Sequence, residues 1–135
     1  MRKAIVPILA CCLLIPILVA QESQSNILSR ANGYLIGKAW NEWSEDLKTG
    51  YIVGFYDGLR YPSTVANLDT DLFHSPLNYG EIRAEVDSFF KEEINKPLPI
   101  FVALRHISQK SKGASASELE EYLTTVRKAY SEPSK

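Results

Sequence analysis

WNEWSEDLKTGYIVGFYDGLRY, residues 40–61, contains the clearest signals for a long helix in this chain. Ser44 suits the N-cap, because its hydroxyl can accept a hydrogen bond from a free backbone N–H of the first turn. Glu45 and Asp46 follow and place negative charge at the positive end of the helix dipole. Pro62 disfavours the helical conformation of the residue before it. We therefore predict a helix that begins after Ser44 and ends just before Pro62.

Three glycines recur at intervals of four inside this helix, at Gly50, Gly54 and Gly58. They share one broad face with Leu47, Tyr51, Phe55 and Tyr61. Each glycine costs about 1 kcal/mol relative to alanine, and we expect close packing of a neighbouring helix to offset that cost. Gly54→Leu should then overfill the contact and destabilise the protein by about 1–3 kcal/mol. A groove for a ligand or partner peptide is the alternative. A membrane dimer is disfavoured, because Lys48 and Asp57 leave no room for a span of about 20 apolar residues.

The N-terminus has the layout of a secretory signal peptide. Basic residues at 2 and 3 precede an uncharged, mostly apolar run, AIVPILACCLLIPILVA at residues 4–20, and polar sequence begins at Gln21. Cleavage after Ala20 or after Ser25 would release a periplasmic or secreted protein. Two alternatives stay open. The run ILAC at residues 8–11 resembles a lipobox, and residues 4–20 could be a short uncleaved anchor that contacts the membrane.

Both cysteines, Cys11 and Cys12, lie within this segment, so the predicted mature chain has no disulfide to stabilise it. About 115 residues are enough for a core that is stable on its own. Without Arg2 and Lys3, 13 basic residues face 16 acidic ones, a net charge of −3. With no basic stripe, this balance excludes nucleic acid as the expected partner.

The predicted organisation is a signal peptide at 1–20, a polar leader at 21–33, one helical bundle domain at 34–131 and a tail at 132–135. Residues 27–39 predict one or two short helical turns before Trp40. Apolar spacing predicts three further helices, at about 79–93, 99–111 and 117–131. The fold class expected is therefore all-α, a single small bundle of about four helices.

The details of these helices also follow from sequence signals. Ile82, Val86, Phe89 and Phe90 form the core stripe of the 79–93 helix, with Arg83 and Asp87 paired on its flank. The 99–111 helix begins at Pro99 and should bury Ile100, Ala103, Leu104 and Ile107, and Gly113 suits its C-terminal stop. Ser117 and Glu120 predict a capping box for the last helix.

No catalytic constellation is apparent in the predicted mature chain. It lacks cysteine, which excludes thiol catalysis and zinc–thiolate sites. It also lacks the P-loop, dinucleotide-binding, metalloprotease and nucleophile-elbow motifs. We therefore predict that the protein is not an enzyme and holds no cofactor or metal.

Candidate binding residues cluster in two regions. Trp40 and Trp43 could stack on a sugar or peptide, although residues three apart on a helix are more often core. Asp57 could receive a partner's basic group or bond the loop that follows it. The predicted irregular segment, residues 62–78, is long enough to be either functional or a connector.

Four candidates lie within this segment, Asp69, Asp71, Phe73 and His74. The spacing Asp69-x-Asp71-x-x-His74 could offer two oxygens and a nitrogen to a metal, but aspartates also favour solvated turns. His106 is expected to pack on the flank of its helix.

Two longer patterns carry a family resemblance. One is Lys48-x-x-Tyr51-Ile52-x-Gly54-Phe55-x-Asp57-Gly58, and the other runs from Val86 through NKPLPI at residues 95–100 to Leu104. They resemble small secreted bacterial proteins of unassigned role and, more distantly, the Rap/Tai immunity proteins of type VI secretion. That resemblance implies a helical bundle, often dimeric, that neutralises a toxin in the periplasm, with residues 62–78 as the contact loop. The family usually carries disulfide cysteines, which the predicted mature chain lacks.

Three functional hypotheses follow. The first is a non-enzymatic periplasmic or secreted binding protein, of immunity type, that inhibits a cell-envelope toxin. The second is a periplasmic stress or chaperone-like helical protein, or an envelope structural protein. The third is an enzyme built on Asp57, Asp69, Asp71 and His74.

Overall fold

Five α-helices make up most of the part of the chain that the computed structural model describes, residues 30–31, 34–65 and 71–131. The prediction of an all-α bundle is confirmed, with four long helices and one short one. The signal peptide, most of the polar leader, Asp69 and the tail lie outside the described residues. None of the helices in the described ranges is both long and apolar enough to cross a membrane.

Within the described ranges, the structure contains two short strands, two 3-10 turns and the five helices. In order they are β1 (Arg30–Ala31), β2 (Tyr34–Leu35), α1 (Gly37–Glu42), α2 (Glu45–Val65), a 3-10 turn (Asp71–Phe73), α3 (Tyr79–Lys91), a 3-10 turn (Glu93–Asn95), α4 (Ile100–Ser111) and α5 (Ala116–Ser131).

The segment before Trp40 is only partly as predicted. β1 and β2 pair antiparallel, with Arg30 opposite Leu35, where helical turns were expected. The helix α1 then follows and contains Trp40. Its start has no side-chain cap. Instead, the N–H groups of Gly37 and Lys38 each donate at 3.0 Å to the carbonyls of Leu98 and Lys96, so the segment before α4 satisfies the free donors of α1.

The start of α2 confirms the Ser44 cap, because the N–H of Leu47 donates to the Ser44 hydroxyl at 3.3 Å. The predicted end at Pro62 is wrong, since α2 continues to Val65. Proline has no backbone N–H, so α2 loses one helical hydrogen bond, the one to the carbonyl of Gly58. Gly58 is exposed, so water can replace that bond. The predicted irregular segment 62–78 is correspondingly shorter, and it also contains the 3-10 turn at Asp71–Phe73.

The expected packing of the glycines is also wrong. Gly50, Gly54 and Gly58 are exposed, and a Cβ placed on any of them meets no atom within 4 Å among the described residues. The core side of α2 is marked by Ile52, which is fully buried on the opposite face. Gly54→Leu therefore has room, and the destabilisation expected from overfilling does not apply.

The core lies between α1, the core side of α2, α3 and α4, with α5 closing one side. Its buried apolar residues are Ala39, Trp40, Trp43, Ile52, Ile82, Val86, Phe89, Phe90, Leu98, Ile100, Val102, Ala103, Leu104, Ile107 and Leu123. The predicted stripes of α3 and α4 are all among them and are confirmed. In α5, Leu123 is buried, and Leu119, Val126 and Tyr130 on the same side are half-buried.

The last helix starts two residues earlier than the predicted capping box at Ser117 and Glu120 implies. Ser115 and Glu118 form the box instead: the N–H of Glu118 donates to the Ser115 hydroxyl at 3.3 Å, and the N–H of Ser115 donates to Glu118 Oε2 at 2.8 Å. Gly113 has φ of 89° and ends α4 as predicted. The N–H of Ala114 bonds the Gln109 carbonyl at 3.0 Å, which closes the turn so tightly that α5 can begin at once.

The predicted pair between Arg83 and Asp87 is wrong. Arg83 reaches Glu45 Oε2 at 2.8 Å, whereas Asp87 Oδ1 lies 2.8 Å from Lys48 Nζ. Both pairs link α3 to α2, so contacts between helices replace the pair along one helix.

Candidate functional site

The two tryptophans belong to the core and not to a binding surface. Trp40 is 0% exposed and Trp43 is 8% exposed. Their rings pack at a centroid distance of 6.0 Å, and the Trp40 indole N–H donates to Asp87 Oδ1 at 2.8 Å. The prediction that they stack on a sugar or peptide is wrong, because the packing of α2 and α3 covers them.

Asp57 lies on the exposed side of α2, where its side chain is 58% exposed. Its Oδ1 is 3.5 Å from Arg60 Nη1, one turn further along the same helix. The described contact of this carboxylate is therefore local to α2.

Asp71 ties its 3-10 turn to the end of α4. Its Oδ2 is 2.9 Å from Lys112 Nζ, and the same ammonium also donates to the Asp71 carbonyl. The hydrogen bond from Lys112 and the positive charge of Lys112 lower the pKa of the Asp71 carboxyl. Across the described ranges, no group of three His, Cys, Asp or Glu side chains is placed to hold a metal ion.

Phe73 and His74 line an open groove of about 480 Å³ between the second half of α2, the segment 73–78 and the start of α3. We call it the Tyr56–Tyr79 groove. Its described lining residues are Tyr56, Leu59, Arg60, Phe73, His74, Ser75, Leu77, Asn78, Tyr79 and Ile82. Of the six sequence candidates that the structure describes, only Phe73 and His74 line this groove, and Asp69 lies outside the described residues.

A row of aromatic rings forms the wall of the groove. Phe73 packs edge-on against Phe55 at 5.3 Å between centroids, and Phe55 packs edge-on against Tyr56 at 5.6 Å. Tyr56 in turn stacks on Tyr79 at 6.0 Å with 29° between the ring planes. Such pairs are more favourable than their buried area alone indicates. The wall is therefore held in one arrangement before anything binds.

Hydrogen bonds fix the segment 73–78 against α4. The buried Ser108 hydroxyl donates to the His74 carbonyl, and the hydroxyls of Ser75 and Ser111 lie 3.2 Å apart. The segment then passes into α3 through a capping box, in which the N–H of Glu81 donates to Asn78 Oδ1 at 3.0 Å. These bonds pre-organise the groove, which lowers the entropic cost of binding.

The described lining of the groove carries no carboxylate. Its ionisable groups are the guanidinium of Arg60, the imidazole of His74 and the two tyrosine hydroxyls. Burial, and next the neighbouring Tyr79, raise the pKa of the Tyr56 hydroxyl, which therefore stays protonated at neutral pH. That hydroxyl is buried and has no hydrogen-bond partner within the described part of the chain. The described lining thus offers an apolar floor with hydrogen-bond donors and no carboxylate.

The sequence interpretation missed Tyr56, Arg60 and Tyr79. Tyr56 and Arg60 are four residues apart on α2 and so share one side of the helix. Tyr79 begins α3 directly after the segment that was already suspected of a binding role. The i, i+4 spacing was a usable signal, but nothing in the sequence showed that these two segments meet.

His106 gives the stability of the fold a pH dependence. It is half-buried in α4 against Phe89, and its Nδ1 has no hydrogen-bond partner among the described residues. Burial, followed by the charges of Lys110 and Arg127, lowers the pKa of His106, while Glu85 and Glu92 oppose the shift. In the unfolded chain its pKa is about 6.5, so acid favours the unfolded state, which binds the proton more readily.

We therefore expect the contribution of His106 to the free energy of unfolding to have its full value above about pH 6.5. The free energy of unfolding should then fall as the pH drops towards the folded-state pKa of His106. Urea unfolding of the wild type and of His106→Gln between pH 7.5 and 5 measures this difference, since all other titrating groups are common to both proteins. Parallel curves for the two proteins would contradict the assignment.

Comparisons of the chain with protein-family models, with curated proteins and with solved structures find no match. The described residues establish an all-α bundle with an open, pre-organised groove. The distant resemblance to the Rap/Tai immunity proteins stays a prediction, and it transfers no residue role to the groove.

Proposed function

We propose that this protein is a non-enzymatic binding protein, periplasmic or secreted, that recognises another protein through the Tyr56–Tyr79 groove. The finer form of the proposal is an immunity-type inhibitor that occludes a cell-envelope toxin. The observation that carries the proposal is the groove itself, which is lined by packed aromatic rings and the Arg60 guanidinium, and whose segment 73–78 is fixed to α4 by hydrogen bonds.

The residue types of the groove support a protein partner. Tyrosine and arginine are enriched among the few residues that supply most of the binding energy at protein interfaces. Tyr56, Tyr79 and Arg60 bring both types to one concave surface. The ring contacts of the two tyrosines exist without a partner, so little ordering entropy of these rings remains to be lost on association.

The competing hypotheses have less support. Asp57 pairs with the Arg60 side chain and Asp71 pairs with the Lys112 side chain, and neither acid lines the groove. This arrangement weakens the hypothesis of an enzyme built on these acids with His74. Among the described residues, the exposed large apolar ones are Tyr34, Leu47, Leu72 and Ile94. They lie on four different elements, and scattered apolar side chains are ordinary on protein surfaces. That distribution gives a chaperone-like protein little support.

Capture of partners from the native periplasm by the tagged mature protein, with mass spectrometry, tests the proposal. We expect one stoichiometric partner that is lost when Phe73→Ala and His74→Ala are combined, and that binds roughly tenfold more weakly to Tyr79→Ala. Leu47→Ala is the matched control, because it truncates an exposed apolar side chain on the other side of α2. A partner retained by all groove variants, or lost with Leu47→Ala alone, would place the site elsewhere.

A further inference from the structure

We infer that the Tyr56–Tyr79 groove takes an extended segment of the partner protein that presents an apolar side chain next to a carboxylate. The apolar side chain lies between the rings of Tyr56 and Tyr79 and the floor, and the carboxylate accepts hydrogen bonds from Arg60. This inference names the chemistry of the partner and rests on the proposed function.

The floor of the groove selects for an apolar group. Leu59 and Leu77 are half-buried on either side of it, and Ile82 lies at its base with 1% of its surface exposed. Covering the exposed atoms of Leu59 and Leu77 removes apolar surface from water, which is the main favourable contribution to protein association. The ring faces of the two tyrosines add the stacking geometry that aromatic side chains prefer.

The charge of the groove selects for an acidic neighbour. Arg60 is on the wall, and no described lining residue is acidic. The Arg60 side chain is 75% exposed, and its ion pair with Asp57 is long and exposed on both sides. Such pairs are weak, because water screens them. A carboxylate of the partner can therefore join or replace Asp57 on the guanidinium, which binds carboxylates in a planar, two-bond geometry.

The shape of the groove favours a protein segment over a free small molecule. Small-molecule sites usually bury roughly 70–90% of the ligand surface. The Tyr56–Tyr79 groove is open along one side, and His74, Asn78 and Arg60 on its rim are exposed. A segment of a protein needs only one side covered, because the rest of the partner covers the other.

Titration of the ¹⁵N-labelled mature protein with capped peptides tests this inference by amide chemical shifts. The probes are the acetylated and amidated peptides Gly-Ser-Phe-Asp-Ser-Gly, its Phe-Asn analogue and its Ala-Asp analogue, together with 3-phenylpropionate. We expect shifts at residues 56–60 and 73–82, binding of the Phe-Asp peptide about two- to fivefold tighter than the Phe-Asn peptide, and the weakest binding for Ala-Asp.

Two substitutions with opposite expected signs sharpen the test. Arg60→Gln should remove the preference for the acidic peptide. Asp57→Asn should enlarge it, because the Asp57 carboxylate no longer competes for the guanidinium. Both side chains are mostly exposed, so the fold should persist, as the amide spectrum of each variant will show.

Each other outcome overturns the inference. Equal binding of the acidic and amide peptides removes the role of Arg60. Binding of 3-phenylpropionate as tight as the peptide indicates a small-molecule site, and concentration-dependent shifts without any peptide indicate a second copy of the chain. Shifts confined to other surfaces, or no shifts at all, remove the groove as a peptide site. Capture of a partner through Tyr79 in the preceding experiment would still support the proposed function in each case.

Discussion

Asp87→Ala is expected to lower the free energy of unfolding by about 2–4 kcal/mol. Asp87 Oδ1 accepts hydrogen bonds from Lys48 Nζ and from the Trp40 indole, both at 2.8 Å. Lys48 is only 12% exposed and also lies 5.5 Å above the Trp40 ring. Without the carboxylate, an ammonium and an indole N–H are left largely out of water with no acceptor. The 28% exposure of Asp87 keeps the expected loss below that of a fully buried pair.

The matched control is Glu85→Ala on the same helix. Glu85 forms an equally short ion pair, 2.7 Å from Lys110, but both partners are well exposed. Its loss should cost less than about 1 kcal/mol. Urea unfolding of both variants followed by tryptophan fluorescence measures the difference, and Asp87→Asn should fall between them because it keeps an acceptor for Trp40. Equal losses for Asp87→Ala and Glu85→Ala would mean that burial does not strengthen the Asp87 contacts.

Gly37→Ala is expected to destabilise the protein by about 1–3 kcal/mol, although it adds a single methyl group. A Cβ at Gly37 would lie 2.1 Å from Cδ1 and 2.4 Å from Cε1 of Phe90. Phe90 is fully buried, and the N–H of Gly37 is bonded to Leu98, so neither side of the contact can move cheaply. The close approach of α1 to α3 requires glycine at this position.

Gly54→Ala is the same chemical change with the opposite expected sign. Its Cβ meets no atom within 4 Å in the described part of the chain, and alanine is favoured over glycine in a helix by about 1 kcal/mol. Thermal and urea unfolding of both variants compares them, and adding Phe90→Leu to Gly37→Ala should recover part of the loss. A stable Gly37→Ala protein, or a destabilised Gly54→Ala protein, would contradict the placement of α1 and α2.

The helices α3 and α4 were predictable because their apolar residues form continuous stripes, and those stripes are buried as expected. The orientation of α2 was not predictable in the same way. Glycine has no side chain to show which face it prefers, and the half-buried aromatic residues Tyr51 and Phe55 lie at the edge of the glycine face. Ile52 is the one fully buried residue among the described side chains of α2, and Tyr56 and Leu59 on the same side are only half-buried, so the core stripe of α2 is weak. The contact of Asp87 with Lys48 on α2 depends on the same orientation, so it was not predictable either.

The site was predictable only where it coincides with the connecting segment. Phe73 and His74 were candidates because they lie in that segment, and both line the groove. Trp40 and Trp43 were misassigned as candidates because their spacing is the same in a core and on a surface. Tyr56, Arg60 and Tyr79 were missed because two segments far apart in the sequence form the groove together, and their approach is set by tertiary packing.

The most direct test of the Tyr56–Tyr79 groove as the binding site is site-specific photo-crosslinking in native periplasmic extract. The photoreactive amino acid p-benzoylphenylalanine replaces Tyr79 in one protein, Phe73 in a second and Leu47 in a third. The predicted result is one adduct of the same mass from the Tyr79 and Phe73 positions and none from Leu47. An adduct from Leu47, with none from the two groove positions, would contradict the proposal and move the interface to the glycine face of α2.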